Sequence, residues 1–327
     1  MLRIMAALAV PLLASVALAG CGSSKPAAAT APTTTSNANT SVNATGLFNK
    51  TPTVTIPAAK AGSALTVKTL IPGTGPTLAK TDEFLGNYVV YSWDGTSHTL
   101  KGSTFSSVPT LFTNPLLPGL QTALAGKQVG SRVLAVIPPK DGFGSTGNTS
   151  AGITGTTTLV FVIDVLKAYT GKEAASGTQV STGGGSLPTV TAPATAGAAP
   201  VVKLPASSVK PPTTLQVKTL IKGSGPAIAK GQTAVVQYVG YIWRTGKVFD
   251  SSWSRGAVFG FQDGAGQVIP GWDNGLVGQT VGSRVLLVIP SKDGYGANGA
   301  SQAGITATDT LVFVVDIVGS ATTTGIN

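Results

Sequence analysis

The sequence predicts an α+β chain that is mostly β, made of two copies of one domain, each an antiparallel sheet curled over one short helix. Three observations predict it. The composition favours short strands and turns: of 327 residues, 42 are Gly and 21 are Pro, and only 10% are charged. The apolar residues gather in β-branched and aromatic runs of strand length. And long pieces of the first half return in the second.

The repeat comes first because it sets the domain count. Val67–Lys80 reads VKTLIPGTGPTLAK, and 150 residues later Val217–Lys230 reads VKTLIKGSGPAIAK. Val129–Gly144 (VGSRVLAVIPPKDGFG) returns as Val281–Gly296 (VGSRVLLVIPSKDGYG), and Thr158–Leu166 as Thr310–Val318, both at an offset of 152. The first copy is therefore two residues shorter in its middle. Repeats so far apart are globular domains, not solenoid turns. Within the second copy, Ala234–Trp243 and Val285–Ile289 read as strands, and Leu311, Phe313, Val315 and Ile317 alternate onto one face. Thr245-Gly246 reads as a turn. Gly271–Val277 is the one short helix, with Pro270 beside its start, where a missing N–H does no harm, and Gly278 as its stop.

Around the copies the composition changes. Met1–Ala19 carries Arg3 and then an apolar run too short to span a bilayer, the pattern of a signal peptide over 1–20. Residues 21–60 and 170–211 are rich in Ala, Thr, Ser, Gly and Pro, and read as a flexible tether and a disordered linker. The domains are then 61–169 and 212–320, with a tail at 321–327.

One cysteine and one histidine leave no disulfide framework, no zinc cluster and no His-based triad, and no cofactor is expected. The net charge of +10 is spread without a dense basic run or interleaved aromatics, which speaks against nucleic-acid binding and for a mild pull toward an anionic membrane surface. His98 reads as a surface-loop residue. Nothing calls for an oligomer, so a monomer is expected.

Two resemblances add to this. Leu18-Ala19-Gly20-Cys21 resembles the lipobox of bacterial lipoproteins, which implies cleavage before Cys21, lipidation of its thiol, and an extracytoplasmic protein anchored to the cell membrane. The second copy resembles FKBP-type peptidyl-prolyl cis-trans isomerases through seven pieces in order: VQYVGY (236–241), GKVFDSSWSRG (246–256), VFGF (258–261), GQVIPGWDNGL (266–276), VGSRVLLVIP (281–290), DGYGANG (293–299) and DTLVFVVDIV (309–318). The resemblance implies a cup for a proline ring lined by Tyr238, Phe249, Phe259, Val268, Ile269, Trp272, Tyr295, Ile305 and Phe313, with Trp272 as its floor. It implies that the Ile269 N–H binds a substrate carbonyl and that Asp250 and the Tyr295 hydroxyl act at the rim. Arg255 would pair with Asp250, and Gln267 would offer a backbone carbonyl. Proline-containing polypeptides arriving outside the cell would be the clients, and family macrolides possible ligands.

The first copy keeps Tyr88, Phe161 and Ile153 but has Leu120 for the Trp floor and Phe143 for Tyr295. Leu100 and Lys101 fall near the positions of Phe249 and Asp250, so the acid is lost. A smaller, all-apolar cup and an inactive first domain are expected. The competing reading is a chaperone-like or partner-binding module without significant catalysis.

Overall fold

The computed structural model describes residues 38–322 and 325–326. The expected signal peptide and Cys21 lie outside the described residues.

In the first domain the strands are β1 (Thr66–Ile71), β2 (Glu83–Asp94), β3 (Ser97–Ser103) and β4 (Thr110–Phe112), then the helix α1 (Pro118–Leu124), then β5 (Arg132–Ile137) and β6 (Thr158–Tyr169). The second repeats the plan with β7 (Gln216–Lys222), β8 (Thr233–Ile242), β9 (Val248–Ser251), a four-residue helix α2 (Ser252–Arg255), β10 (Phe259–Gln262), α3 (Pro270–Leu276), β11 (Arg284–Ile289) and β12 (Leu311–Thr322). All pairings are antiparallel. The order is β1-β5-β6-β2-β3 in one sheet and β7-β11-β12-β8-β9 in the other, with β4 and β10 pairing the outer ends of β2 and β8. The expected fold class is what the chain adopts. The short α2 escaped the sequence reading; Ser251 caps it by accepting from the Ser254 N–H, and Gly256 ends it at φ +62°. His98 sits on β3 opposite Trp93, so it is an exposed strand residue, not a loop one.

Both faces of each sheet are buried, which is why Val285–Ile289 is apolar without alternation. On the concave face, Val285, Leu287, Ile289, Val315 and Ile317 pack against Trp272 and Leu276 of α3. On the convex face, Leu286, Val288, Val312 and Val314 need a cover. The expected linker supplies it: Val190 is buried against them, with Leu187, Val202 and Leu204 alongside, on a hairpin of Thr189–Thr191 and Val201–Lys203. The expected tether does the same for the first domain. Asn43–Thr45 pairs with Thr53–Thr55, and Val42, Ala44 and Ile56 bury against Leu134, Val136, Val160 and Val162. Where the sequence suggested a flexible tether and linker, residues 38–60 and 170–211 each carry a separate two-stranded hairpin packed on a domain sheet.

A buried ion pair pins each cover. Arg132 meets Asp164 through two hydrogen bonds of 2.6 and 2.8 Å, and its remaining N–H groups donate to the carbonyls of Gly46 and Lys50 at 3.1 and 2.7 Å. The Asn49 N–H closes the ring on Asp164 at 2.6 Å. The copy of this device is Arg284 on Asp316, with the Ala175 N–H donating to Asp316 at 2.8 Å.

The two domains touch through equivalent surfaces. Leu85, Leu166 and Tyr169 of the first share one apolar cluster with Val235, Val258 and Ala321 of the second. Leu166 and Val318 are the bulged residues of β6 and β12, turned out of the ladder toward this contact. Glu83 accepts from the Val258 N–H at 2.8 Å, and Thr233, its equivalent, donates to the carbonyl of Pro109, the equivalent of Val258, at 2.9 Å.

Two buried carboxyls set the expected pH response. Burial, partly offset by hydrogen bonds from the Val258 and Asn114 backbone, pushes Glu83 up to about 7. Burial and the charge of Asp273 push Asp263 up to about 7 as well. A carboxyl raised on folding holds its proton more tightly in the native state, so stability is fullest near pH 4 and drains as pH climbs toward 7. The thermal midpoint is expected to fall between pH 4.5 and 7.5. Glu83→Gln and Asp263→Asn should each flatten that slope, as scanning calorimetry at a series of pH values would show; a slope unaltered in both variants would contradict this assignment.

Candidate active site

The site is built where β8, β9, β10, α3 and β12 converge. Tyr238 stands mid-β8 on the concave face. Its N–H donates to the Ser252 hydroxyl at 2.8 Å, which joins β8 to α2. A bulge in the β8–β9 pairing skips Phe249: Gly240 opposes Asp250 and Tyr241 opposes Val248. The extra residue turns Phe249 inward, edge-on to Phe313 at 5.4 Å. This is possible because residue 240 is glycine. A methyl group there would lie 2.7 Å from the Phe313 ring and 2.8 Å from that of Phe249. Gly240 is the site residue that sequence reasoning missed; a lone Gly in a β-branched strand is the signal that marks it.

The floor is Trp272, wholly buried in the first turn of α3. Pro270 starts that helix, and the Trp272 N–H closes on the Ile269 carbonyl at 2.9 Å. Gly271 lets the helix sit on β11, since a methyl group there would meet Ile289 at 2.5 Å. Around the indole stand Tyr238 at 5.2 Å, Phe313 at 5.1 Å, Phe261 at 5.6 Å and Phe259 at 6.1 Å, each edge-on to it. Val268, Ile269 and Ile305 complete the wall, while Phe249, Phe259 and Tyr295 are only half-buried and form the rim. Gln267 is tied back, its side-chain oxygen accepting from the Gln262 N–H at 2.9 Å. Asp273 accepts from the N–H groups of Gly264 and Gly266 at 2.9 and 2.7 Å and so folds this loop onto α3.

The polar side of the rim is one network. The Tyr238 hydroxyl donates to Asp250 at 2.5 Å, Arg255 donates to the same carboxylate, and its other nitrogen donates to the Tyr238 hydroxyl at 2.9 Å. The guanidinium also lies over the Tyr238 ring, 5.5 Å from its centre. Burial, and then the charge of Asp250, pushes the Tyr295 hydroxyl up to about 12, so it stays a donor at any physiological pH. Neither that hydroxyl nor the Trp272 indole N–H has a hydrogen-bond partner among the described residues. Nine of the twelve residues named from the sequence fall in one apolar cluster; Asp250 and Arg255 join it through Tyr238, and Gln267 is bonded to Gln262 at its edge.

The family model for FKBP-type peptidyl-prolyl cis-trans isomerase matches the chain twice, at residues 79–166 and 225–318. The chain belongs to this family. An FK506-binding protein of Streptomyces anulatus is 48% identical over 109 residues, which cover 33% of this chain and 88% of that protein. The peptidyl-prolyl cis-trans isomerase FKBP15-1 of Arabidopsis thaliana is 49% identical over 89 residues, 27% of this chain and 57% of the relative. Among solved structures, that of AtFKBP13 is similar at 36% identity, covering 33% of this chain and 94% of its own, with a TM-score of 0.31.

Both copies are FKBP domains, yet the first builds a different hollow. In β2–β3 the bulge skips Lys101 and sets Val90 opposite Gly102. Lys101 therefore takes the place of Phe249, and Gly102 that of Asp250, one residue on from the expected Leu100 and Lys101. The reason is mutual fit: once the aromatic at the bulge is gone, Val90 can stand where Gly240 must. Thr110 replaces Phe259, Leu120 replaces Trp272, and Gly102 lies against the Tyr88 hydroxyl where Tyr238 meets a carboxylate. The exposed Lys101 donates to the Gly152 carbonyl at 3.1 Å, outside an apolar cluster that holds Leu120, Ile153 and Phe161.

Proposed function

We propose that the second domain is the catalytic one, twisting X–Pro bonds of polypeptides that fold outside the cell, and that the first domain contributes no significant turnover. The observation that carries this is the contrast between the copies: Asp250, Arg255, Tyr295 and Trp272 surround one hollow, and the first copy has lost the acid, the tyrosine hydroxyl and the indole.

The barrier to the reaction is amide resonance, about 18–20 kcal/mol, and uncatalysed exchange takes tens to hundreds of seconds. No nucleophile, metal or proton relay is needed. As the C–N bond twists, resonance is lost and the carbonyl oxygen sheds charge, so the twisted amide is the less polar species. A proline ring on Trp272, walled by Val268, Ile269, Ile305 and Phe313, is held where that species is favoured over the planar one, which is differential binding of the transition state. The Tyr295 hydroxyl and the Asp250 carboxylate, kept in place by Tyr238 and Arg255, orient the flanking backbone. A thousandfold acceleration requires only about 4 kcal/mol.

The test is isomerisation of a proline peptide by the full chain. Asp250→Ala is expected to lower kcat/KM at least tenfold, Tyr295→Phe by a few-fold, and Phe143→Ala not at all. Equal losses from Phe143→Ala and Asp250→Ala would place activity in both hollows and sink the assignment.

Export and anchoring belong to the same proposal, supported by the apolar N-terminal run and the single cysteine at its end. Cys21→Ala should release the protein from membranes and abolish labelling by radioactive palmitate; an unlabelled, still membrane-bound wild type would refute the anchor.

A further inference from the structure

We propose that Glu83, in the first domain, is a positioning residue for the pocket of the second: through Val258 it fixes the segment 252–258 that holds Arg255 on Asp250. The inference rests on the reading of the second hollow as the active one.

Arg255 is poorly placed to order itself. Its side chain is 43% exposed, against 9% for Asp250, and a cation held in water at one end does little to set the course of a loop. Its position has to come from the backbone that carries it, and that backbone is held at three points from outside the pocket. At the far end, the Val258 N–H donates to Glu83 at 2.8 Å, and both residues are buried. In the middle, Gly171, just past the end of β6, lies so near the Gly256 carbonyl that a methyl group there would collide with its oxygen. At the near end, the Gly171 carbonyl accepts from the Gln237 amide at 2.6 Å, the Gln237 oxygen accepts from the Ser252 hydroxyl, and that hydroxyl accepts from the Tyr238 N–H. The first domain and the segment leaving it therefore reach Tyr238 and Arg255, two of the three members of the rim network, without touching the hollow.

The mirror contact is made with different chemistry: Thr233 donates to the Pro109 carbonyl at 2.9 Å. Where Glu83 faces Val258, Thr233 faces Pro109, and proline has no N–H to offer. A carboxylate is supplied only to the loop beside the complete network. The degenerate copy thus retains a role in turnover that its own hollow does not reveal.

The experiment compares Glu83→Ala, Glu83→Gln and Thr233→Val in the full chain, by proline-peptide kinetics and by amide exchange over 252–258. Glu83→Ala is expected to lower kcat/KM at least fivefold and speed exchange at 252–258 while β11 and β12 stay protected. Glu83→Gln, whose amide oxygen still accepts from Val258, should restore most of the rate. Thr233→Val loosens the same interface on its other side and should stay within twofold of wild type. If Glu83→Ala does not fold, Glu83→Asp, with its oxygens withdrawn by one methylene, gives the same reading. Wild-type kinetics and exchange in Glu83→Ala, or an equal loss in Thr233→Val, would overturn the inference. A wild-type chain without isomerase activity would instead sink the proposed function, and exchange at 252–258 would then decide alone whether Glu83 holds the loop.

Discussion

Trp272→Leu is expected to cost at least tenfold in kcat/KM while leaving the fold intact. Leucine is chosen because the first domain already carries Leu120 at this position, buried in its own core with the same helix over the same strands. The substitution therefore removes the ring without the large cavity that alanine would leave, for which about 3–5 kcal/mol of stability would be lost. What it takes away is the flat surface on which four aromatic edges converge and the unpartnered indole N–H at the bottom of the hollow. A tenfold fall corresponds to about 1.4 kcal/mol of transition-state stabilisation. Proline-peptide kinetics beside a thermal melt separates the two effects. Unchanged turnover in a well-folded Trp272→Leu chain would mean that the ring is core packing and that the reaction is catalysed elsewhere.

Arg284→Ala should destabilise the chain by about 3–5 kcal/mol. The side chains of Arg284 and Asp316 are almost wholly buried, and two hydrogen bonds of 2.7 Å join them. Deleting the cation leaves the buried Asp316 carboxyl without its partner and with the Ala175 N–H, at 2.8 Å, as its remaining hydrogen-bond donor among the described residues. That same N–H is where the segment entering the second domain is fastened, so its cover should loosen too. Arg244 is the contrast: it pairs with Asp309 in the same two-pronged manner, but its side chain is 54% exposed, and Arg244→Ala should shift the urea midpoint far less. Similar shifts in the two variants would show that the buried pair owes nothing to its burial.

The contrast between the copies bears on what could be read from sequence. The sheets, the helix over them and the cup were legible because the repeat supplies two independent versions of each strand, and because aromatic side chains this large either fill a core or line a hollow. The covers were not legible. A few apolar residues, among them Val42, Ala44, Val54 and Ile56 on one side and Val190 and Val202 on the other, anchor segments rich in Thr, Ser, Ala and Gly. Averaged over a window, so little apolar content looks like a solvated spacer. The clue lay in the strands: Val285–Ile289 has no polar face, so something had to shield it. The place of Lys101 was hidden for another reason. A two-residue length difference can be put anywhere in a loop by letters alone, whereas the bulge that skips Lys101 and Phe249 exists only in the hydrogen-bonded ladder. Glu83 was invisible because its partner, Val258, is 175 residues away and contributes only backbone.

The swapped contacts between the halves have a last consequence. Leu85 against Val235, and Glu83 and Thr233 each reaching the other's opposite number, are what two identical molecules make when they pair about a two-fold axis. Here both partners share one polypeptide, so the pairing is first order. The connection over residues 170–211 keeps the two halves at a high effective concentration, set by its span and not by the amount of protein in solution. Dilution, which parts a true dimer, leaves this one together.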